Sequence, residues 1–515
     1  MHFKNYFIFL LIFTLASCVS VKKYNEQQKV CIPPEKLKED VDFAYSKLKE
    51  THPQLYWYIS KQDLDYKFDS LKRTISEPLT PLQFYFKLQP VIAGIREGHL
   101  SLRIPSKMIS KKEIKTLEGK KGMFSRFGYY VNDNRLFIVE NKDSIQHIPP
   151  GTEILSIDKI PVSEYIRRYR KLISSDGFNT TFHPYYLKDV FFNYYVAEKG
   201  YEDHATLETV YKGQKKTYEL TREAKSEDDL KKEKENKKRT EEKKVNDYIA
   251  ISNSYNRNFK FLDQDSTIAY IKVKSFSSDY SAKFYQKAFT KIKKAGSSYL
   301  VIDIRNNYGG SLQEINNLYA YLSPEPYTLI RPSQVTSATS PLKTNYFRKT
   351  GFLPYVLKTL AYPAFFFGQT FSTYKKDGKF YYKNKADKPS RPSKYVFTGK
   401  VFVLINGGSF SASSIFSAKL KNDKRAVLVG EETGGANDGT VAGFYSYQTL
   451  PNSRIDLPIG VLLVQPNINF TDTKKGVVPD VKISETMQDL LDGKDPEMDW
   501  IMKEIKKEKS GKQQR

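Results

Sequence analysis

A serine in a turn between a predicted strand and a predicted helix is the first candidate for chemistry. The apolar run Val401 to Ile405 predicts a buried strand, and Gly407-Gly408-Ser409-Phe410-Ser411-Ala412 leads from it into a helix. Free backbone N–H groups at a helix N-terminus stabilise the negative charge of an attacking alkoxide and of an oxyanion. Serine and glycine are also ordinary turn residues, so Ser411 is either a nucleophile or part of a structural turn.

A second glycine turn follows another predicted buried strand. Tyr299 to Ile304 is nearly all apolar and runs into Asn306-Asn307-Tyr308-Gly309-Gly310. The carboxyl ends of parallel strands meet at one edge of a sheet, so we expect this turn to lie beside Ser411. A glycine permits close approach of the backbone to a substrate carbonyl. The alternative is a simple turn that ends a strand.

Five segments, in one order along the chain, resemble the motifs of the tail-specific, or C-terminal processing, serine protease family. They are Gly98-His99-Leu100, Tyr299 to Gly310, Gly408 to Phe416, Val429 to Gly435 and Gly476 to Asp480. The resemblance implies that Ser411 is the nucleophile of an acyl-enzyme mechanism. It also implies that the N–H groups of Gly309 and Ala412 hold the oxyanion, and that neither a metal nor an organic cofactor is required.

The general base differs among members of this family. Many members carry a lysine just after a Gly-Glu-x-Thr-x-Gly turn, but Ala436 occupies that position here. The Gly98-His99 pair is instead similar to the histidine-using branch, which resembles the tricorn protease core, and this implies that His99 is the base. Histidine has a pKa suited to accepting and returning a proton near neutrality. The other five histidines match no motif.

The same branch implies an acidic third member shortly before the Gly-Val-x-Pro-Asp motif. The nearest candidate is Asp472, in Phe470-Thr471-Asp472-Thr473. Such a residue would orient and charge-stabilise the imidazole. The alternative for Asp472 is an ordinary loop aspartate.

The elements that must position these residues fall into several predicted units. Residues 18–115 read as a helical domain that carries the Gly-His motif, residues 120–222 as a β-rich domain, and residues 223–247 as a charged linker that is either a solvated helix or disordered. The segment Pro150 to Val162 resembles part of a PDZ domain, and whether that unit binds peptide stays open. Residues 248–495 form the predicted catalytic core, with an insertion at 324–398, and 496–515 form a basic tail.

Strands alternate with helices in the catalytic core, which predicts an α/β fold with a partly parallel sheet. The family resemblance implies a crotonase-like, ClpP-type arrangement of that core. The aromatic insertion is either a lid over the site or a surface excursion packed on its own aromatic rings. In the helical domain, Thr80 and Gln83 predict a capping box, and the alternation of Leu100, Leu102 and Ile104 predicts a short strand after His99.

The N-terminus reads as a signal peptide over residues 1–17. A basic residue precedes the apolar run Tyr6 to Ala16, which is short for a bilayer span, and Leu15-Ala16-Ser17-Cys18 resembles the lipobox of bacterial lipoproteins. This predicts acylation of Cys18 and a lipid-anchored protein of the cell envelope, on the periplasmic or outer-membrane side. The alternative is a plain signal with an incidental cysteine. Cys31 alone follows Cys18, which excludes a disulfide framework.

The charge pattern indicates which classes of partner to expect. The net charge is +25, but the 83 Lys and Arg residues are interleaved with 58 Asp and Glu residues and form no arginine-rich arm, so nucleic acid is not the expected partner. Weak attraction to anionic lipids is the next interpretation. We therefore predict a serine-type peptidase that acts on peptides or proteins. The alternatives are a non-catalytic peptide- or ligand-binding lipoprotein of the same fold and an esterase.

Overall fold

The protein is a mixed α/β fold with several sheets. The computed structural model describes residues 21–142, 147–243, 247–249, 254–277, 280–347, 352–469 and 473–513. In the N-terminal half the helices are α1 (Val21–Gln27), α2 (Pro34–Thr51), α3 (Lys61–Thr74), α4 (Pro81–Ala93), α5 (Lys111–Glu118), α6 (Val162–Arg170), α7 (Phe182–Lys199) and α8 (Glu227–Lys243). In the C-terminal half they are α9 (Ser281–Ala295), α10 (Leu312–Tyr319), α11 (Phe352–Thr370), α12 (Ala412–Asn422), α13 (Met487–Asp492) and α14 (Pro496–Gln513).

The strands are grouped into three main sheets and a small two-stranded pair. The first sheet contains β1 (Phe127–Asn132), β2 (Arg135–Asn141), β3 (Thr152–Ile157), β4 (Ile160–Pro161), β5 (His204–Tyr211) and β6 (Gln214–Thr221). The pair is β7 (Tyr248–Ile249) and β8 (Ser254–Tyr255). The second sheet contains β9 (Arg257–Phe261), β10 (Ile268–Val273), β11 (Tyr299–Asp303), β15 (Lys400–Ile405), β16 (Val427–Gly430) and β19 (Val481–Lys482). The third contains β12 (Ser333–Val335), β13 (Thr373–Lys376), β14 (Lys379–Tyr382), β17 (Thr440–Thr449) and β18 (Asp456–Val464).

The second sheet positions the nucleophile turn. Its order is β19-β16-β15-β11-β10-β9, and every neighbouring pair is parallel except β10 with β9. Because β11 and β15 are adjacent and parallel, the turns after Asp303 and after Ile405 emerge at the same sheet edge. All five residues of β11 are buried, as expected for a central strand covered on both faces.

The predicted helix start at Thr80 is confirmed. The Thr80 hydroxyl accepts from the Gln83 amide, and the Gln83 side chain accepts from the Thr80 amide, which completes the capping box of α4. The predicted strand over Leu100 to Ile104 is wrong. The Leu102 amide donates to the Gln89 side chain and the Arg103 amide to the Asp456 carbonyl, so the segment forms no regular ladder.

The two charged segments outside the second sheet are helical. Glu227–Lys243, inside the charged linker, is the helix α8, which is one of the two alternatives for that segment. The segment expected as a basic tail contains the helix α14 (Pro496–Gln513), which buries Ile501 and Ile505 against the second sheet. Apolar residues at helical spacing on one face of this lysine-rich segment explain the docking.

The hydrophobic core is continuous across the N-terminal half. Buried side chains of α2, α3 and α4 belong to the same cluster as those of the first sheet and of β18. A second cluster covers the face of the second sheet that packs on α9, α10 and α12. The two clusters meet at the turn that carries Ser411, which therefore rests on packed elements from both halves.

Within the described residues, no helix combines the length and the apolar character needed to cross a membrane.

Candidate active site

Ser411 lies in a strained turn at the start of α12. Its φ of 57° and ψ of −119° place a non-glycine residue in a region that L-amino acids rarely adopt. The turn is tied to the turn after β11, because the Ser413 hydroxyl donates to the Asn307 carbonyl at 2.8 Å and the Phe410 amide donates to it at 3.0 Å. These contacts hold the strained conformation and direct the Ser411 hydroxyl into the cleft.

The structure brings His99 to Ser411. Nε2 of His99 lies 3.0 Å from Oγ of Ser411. The imidazole stacks on the Phe410 ring with centroids 4.9 Å apart, and Phe410 stacks in turn on Phe182. Gly98 is required beside this stack, since a Cβ there would lie 2.6 Å from Cζ of Phe410. The rings therefore fix both the position and the plane of the imidazole.

A threonine hydroxyl links the other imidazole nitrogen to a buried carboxylate. Oγ1 of Thr440 lies 2.8 Å from Nδ1 of His99 and 2.8 Å from Oε1 of Glu97. The hydroxyl has one proton, which it donates to Glu97, and it then accepts from the Nδ1–H of His99. This network leaves Nε2 of His99 unprotonated and facing Ser411, which is the tautomer of a general base.

A second buried carboxylate supports the backbone that carries His99. Oδ1 of Asp176 accepts from the Gly98 amide at 2.7 Å, and Oδ2 accepts from the Ala436 amide. Ala436, which stands where a lysine was considered, is buried and has no side chain that could act as a base. Asp176 thus joins the histidine loop to the turn after β16.

The charges around His99 shift three pKa values. Burial disfavours the imidazolium, but the contact with Glu97 and the charges of Glu97 and Asp176 outweigh it and raise the His99 pKa above its usual 6.5. Burial likewise opposes the Glu97 carboxylate, and its contact with His99 outweighs that effect and lowers the Glu97 pKa. Burial and then the charge of Glu97 raise the Asp176 pKa to about 7. The charge of Glu97 therefore stabilises the imidazolium that His99 becomes when it takes a proton.

The predicted oxyanion donors differ in their surroundings. Ala412 is the first residue of α12, and its amide makes no hydrogen bond within the part of the chain that the structure describes. The amide of Gly309 donates to Oδ1 of Asn307 at 2.9 Å. Gly309 nevertheless lies against the nucleophile, since a Cβ there would be 2.7 Å from Cβ of Ser411. Ala412 is therefore the donor that the geometry favours, while Gly309 needs its amide released from Asn307.

The nucleophile opens into an apolar cleft of about 540 Å³. Its apolar lining comes from α10, from α12, from the third sheet and from the insertion, and it includes Leu312, Ile415, Phe444, Leu462, Val464 and Ala386. Tyr382 of β14 packs edge-on against Phe444 across the cleft wall. This cleft accepts an apolar side chain next to a carbonyl that reaches Ser411.

Sequence reasoning missed three residues of the site and named two that cannot be placed. Glu97, Asp176 and Thr440 were not candidates, although the position of Glu97 two residues before His99 was an available signal. Nothing local marks Asp176 or Thr440, since folding alone brings them to His99. Asp472 and Cys18 lie outside the described residues.

One group among the described residues has the composition of a metal site. The ligand atoms of Glu97, His99 and Asp176 all lie within 4.8 Å of one another. Oε1 of Glu97 and Oδ1 of Asp176 already accept hydrogen bonds from the amides of Val441 and Gly98. Because these carboxylate oxygens already bind backbone amides, they are better suited to holding the imidazole in place than to coordinating an ion.

Part of the sequence matches a known family, and the fold is similar to that of solved structures. Residues 267–483 match the model of peptidase family S41. Among solved structures, mature CPAF matches with a TM-score of 0.56 at 16% identity, covering 89% of this chain and 94% of that chain. Mature CPAF complexed with lactacystin matches with a TM-score of 0.57 at 15% identity, covering 89% and 95%. The photosystem II D1 C-terminal processing protease matches with a TM-score of 0.41 at 15% identity, covering 87% and 93%. No curated protein sequence matches the chain.

Proposed function

We propose a catalytic mechanism for this chain, which belongs to peptidase family S41 and is a serine-type peptidase. The observation that carries the mechanism is the 3.0 Å separation of Nε2 of His99 from Oγ of Ser411. A neutral imidazole in that position takes the hydroxyl proton as the oxygen attacks. Ser411 is then the nucleophile and His99 the general base.

The reaction proceeds through an acyl-enzyme. Oγ of Ser411 bonds to the scissile carbonyl carbon, its proton passes to Nε2 of His99, and the carbonyl oxygen becomes an oxyanion beside the Ala412 amide. Collapse of this intermediate breaks the C–N bond, and His99 returns the proton to the leaving amine. A water oxygen then bonds to the acyl carbon while His99 takes a proton from that water. The bond to Oγ of Ser411 breaks, His99 returns the proton to Oγ, and the acid is released.

Glu97 and Thr440 act as positioning residues for His99. The Glu97 carboxylate is nearly fully buried, and Thr440 connects it to Nδ1, so its charge stabilises the imidazolium that forms during attack. A carboxylate that acts through a hydroxyl holds the tautomer as well as the charge. Glu97 is therefore the acidic partner that we propose for His99, while Asp472, the candidate from the sequence, lies outside the described residues.

The substrate is a peptide or protein with an apolar residue at the scissile bond. The apolar lining of the cleft next to Ser411 supports this preference, because burial of an apolar side chain there removes it from water. We further propose that the second sheet is a crotonase-like, ClpP-type core and that the first sheet is a PDZ-like unit. The parallel order of β16-β15-β11-β10 and the compact sheet β1-β2-β3-β5-β6 support these assignments.

A serine-directed fluorophosphonate probe tests the function. We expect labelling of the wild type, loss of labelling in Ser411→Ala, and unchanged labelling in Ser226→Ala, a serine at the start of α8. Peptides with leucine or phenylalanine before the scissile bond should be cleaved faster than those with aspartate there. Absence of labelling would indicate the non-catalytic binding protein instead, and labelling with ester but no peptide turnover would indicate an esterase.

We also propose that the mature protein is a cell-envelope lipoprotein anchored through Cys18. The lipobox-like Leu15-Ala16-Ser17-Cys18 supports this proposal. Cys18→Ser should remove a metabolic lipid label and shift the protein from the membrane fraction. Unchanged membrane association together with an unlabelled wild type would contradict the anchor.

A further inference from the structure

The helix α11 exposes an unusual amount of apolar surface. It is 19 residues long, contains a single charged residue, Lys358, and lies in the insertion. Leu360 is 76% exposed, Phe367 62% and Phe371, just after the helix, 70%. Of the 20 large hydrophobic side chains that are exposed in the described part of the chain, 8 lie between residues 355 and 371. An apolar helix of this kind is ordinarily covered, so the exposure requires a partner.

One side of α11 is held to the protein. Nζ of Lys358 donates to the Tyr346 carbonyl at 2.6 Å, and the Phe365 ring stacks on Tyr346 with centroids 4.2 Å apart. Leu357 and Leu360, together with Phe367 and Phe371, remain directed away from these contacts and exposed. We call these four side chains the apolar face of α11. The helix is thus docked through one side and presents a defined apolar face on the other.

The charge of the surrounding segment has one sign. Residues 326–376 contain no Asp or Glu, although the whole chain has 58 among 515 residues. The same segment carries seven cationic residues, and two of them, Lys375 and Lys376 at the end of β13, are exposed. Elsewhere in the chain, acidic and basic residues are mixed. A purely cationic segment around an apolar face is complementary to a surface that is anionic outside and apolar beneath.

We propose that the apolar face of α11 inserts into the surface of an anionic lipid bilayer. The leucine and phenylalanine side chains would enter the boundary between headgroups and acyl chains, and Lys375 and Lys376 would contact the phosphates. A second copy of this chain fits the face less well. It would bring the same cationic segment to the contact, and like charges at close range oppose association.

The proposal goes beyond peptide hydrolysis and does not rest on it. It also concerns a surface separate from the N-terminal anchor. The chain runs from α11 through the hairpin β13-β14 to residues Tyr382–Ala386, which line the cleft beside Ser411. A bilayer bound at α11 would therefore hold one wall of the cleft at a fixed height above the lipid. Substrates would then be cleaved near the membrane surface.

An environment-sensitive label on the apolar face tests the proposal. The full chain with Cys18→Ser and Cys31→Ser receives Leu360→Cys, which is coupled to the fluorophore NBD. Leu230→Cys is the matched control, because Leu230 is an exposed leucine of the highly charged helix α8. Vesicles contain phosphatidylcholine alone or with a quarter phosphatidylglycerol. Each labelled protein is checked for fluorophosphonate labelling at Ser411, so that a misfolded variant is recognised.

If the apolar face inserts, the NBD emission at position 360 should shift to shorter wavelength with phosphatidylglycerol vesicles. Nitroxides on the acyl chains should quench that emission. The label at 230 should not change, and the double variant K375E/K376E should weaken vesicle binding at least severalfold. An unchanged spectrum at position 360 in an active protein would overturn the proposal. A blue shift without vesicles that grows with protein concentration would assign the face to a second copy and would overturn it equally.

Discussion

Nε2 of His99 and Oγ of Ser411 are 3.0 Å apart although 312 positions separate the two residues in the chain. The contact depends on two loops that pack on each other, one after α4 and one after β15. Asp176 and Phe410 fix the first loop, and the hydrogen bonds to Asn307 fix the second.

His99 and Ser411 are expected to act as one catalytic unit. Each of His99→Ala and Ser411→Ala should lower kcat/KM by about a thousandfold or more, and the double variant should lose little beyond either single variant. The measurement is steady-state cleavage of a fluorogenic peptide. Additive losses would show that the two residues do not share a step.

The fall of kcat/KM at low pH should follow the protonation of His99. The base works only when neutral, so kcat/KM is expected to rise with pH, with a midpoint above 6.5 because Glu97 and Asp176 raise the His99 pKa. Asp176→Asn removes one of these charges and should move the midpoint to lower pH. Since the Asp176 pKa is raised to about 7, its charge acts mainly above neutrality. Asp228→Asn, on the exposed helix α8, should leave the midpoint unchanged.

The bridge through Thr440 can be tested apart from the charge of Glu97. Thr440→Val removes the hydroxyl and should lower kcat by about tenfold to a hundredfold with little change in KM, whereas Thr440→Ser should retain most activity. Glu97→Gln should lower kcat and also shift the acid limb to lower pH. Equal activity of Thr440→Val and Thr440→Ser would show that the hydroxyl does not hold the imidazole.

Gly98 is expected to tolerate no side chain. In Gly98→Ala the added Cβ would meet Cζ of Phe410 at 2.6 Å and Oδ1 of Asp176 at 2.9 Å, which displaces the ring stack under His99. Activity should fall at least tenfold, and Phe410→Leu in the same chain should restore part of it. Gly368→Ala is the control, since a Cβ there has no neighbour within 4 Å. Full activity of Gly98→Ala would mean that the loop can shift without moving His99.

The docking of α14 should contribute to the stability of the catalytic core. Ile501 is fully buried against the second sheet, and Ile501→Ala should lower the free energy of unfolding by about 2 to 4 kcal/mol. Lys507→Ala, at an exposed position of the same helix, should change it by less than about 0.5 kcal/mol. Denaturant titration measures both. Equal stabilities would restore the view that this segment is a tail.

Much of the catalytic core could be predicted because its signals are local. The apolar runs at Tyr299 and Val401 predict buried strands, and a glycine-serine turn before an apolar helical pattern marks the nucleophile. The capping box at Thr80 is likewise a pattern within four residues. In each case the residues that decide the element are neighbours in the chain.

The chain by itself determined which strands are buried and which serine stands at the sheet edge. Only the tertiary structure decided what surrounds the imidazole. Asp176 comes to His99 from the loop between α6 and α7, and Thr440 comes from the start of β17, 341 positions away, to link His99 to Glu97. The strand expected after His99 failed for the same reason, because distant Gln89 and Asp456 take its hydrogen bonds. Periodicity records which face of an element is apolar, but it carries no information about which distant side chains meet.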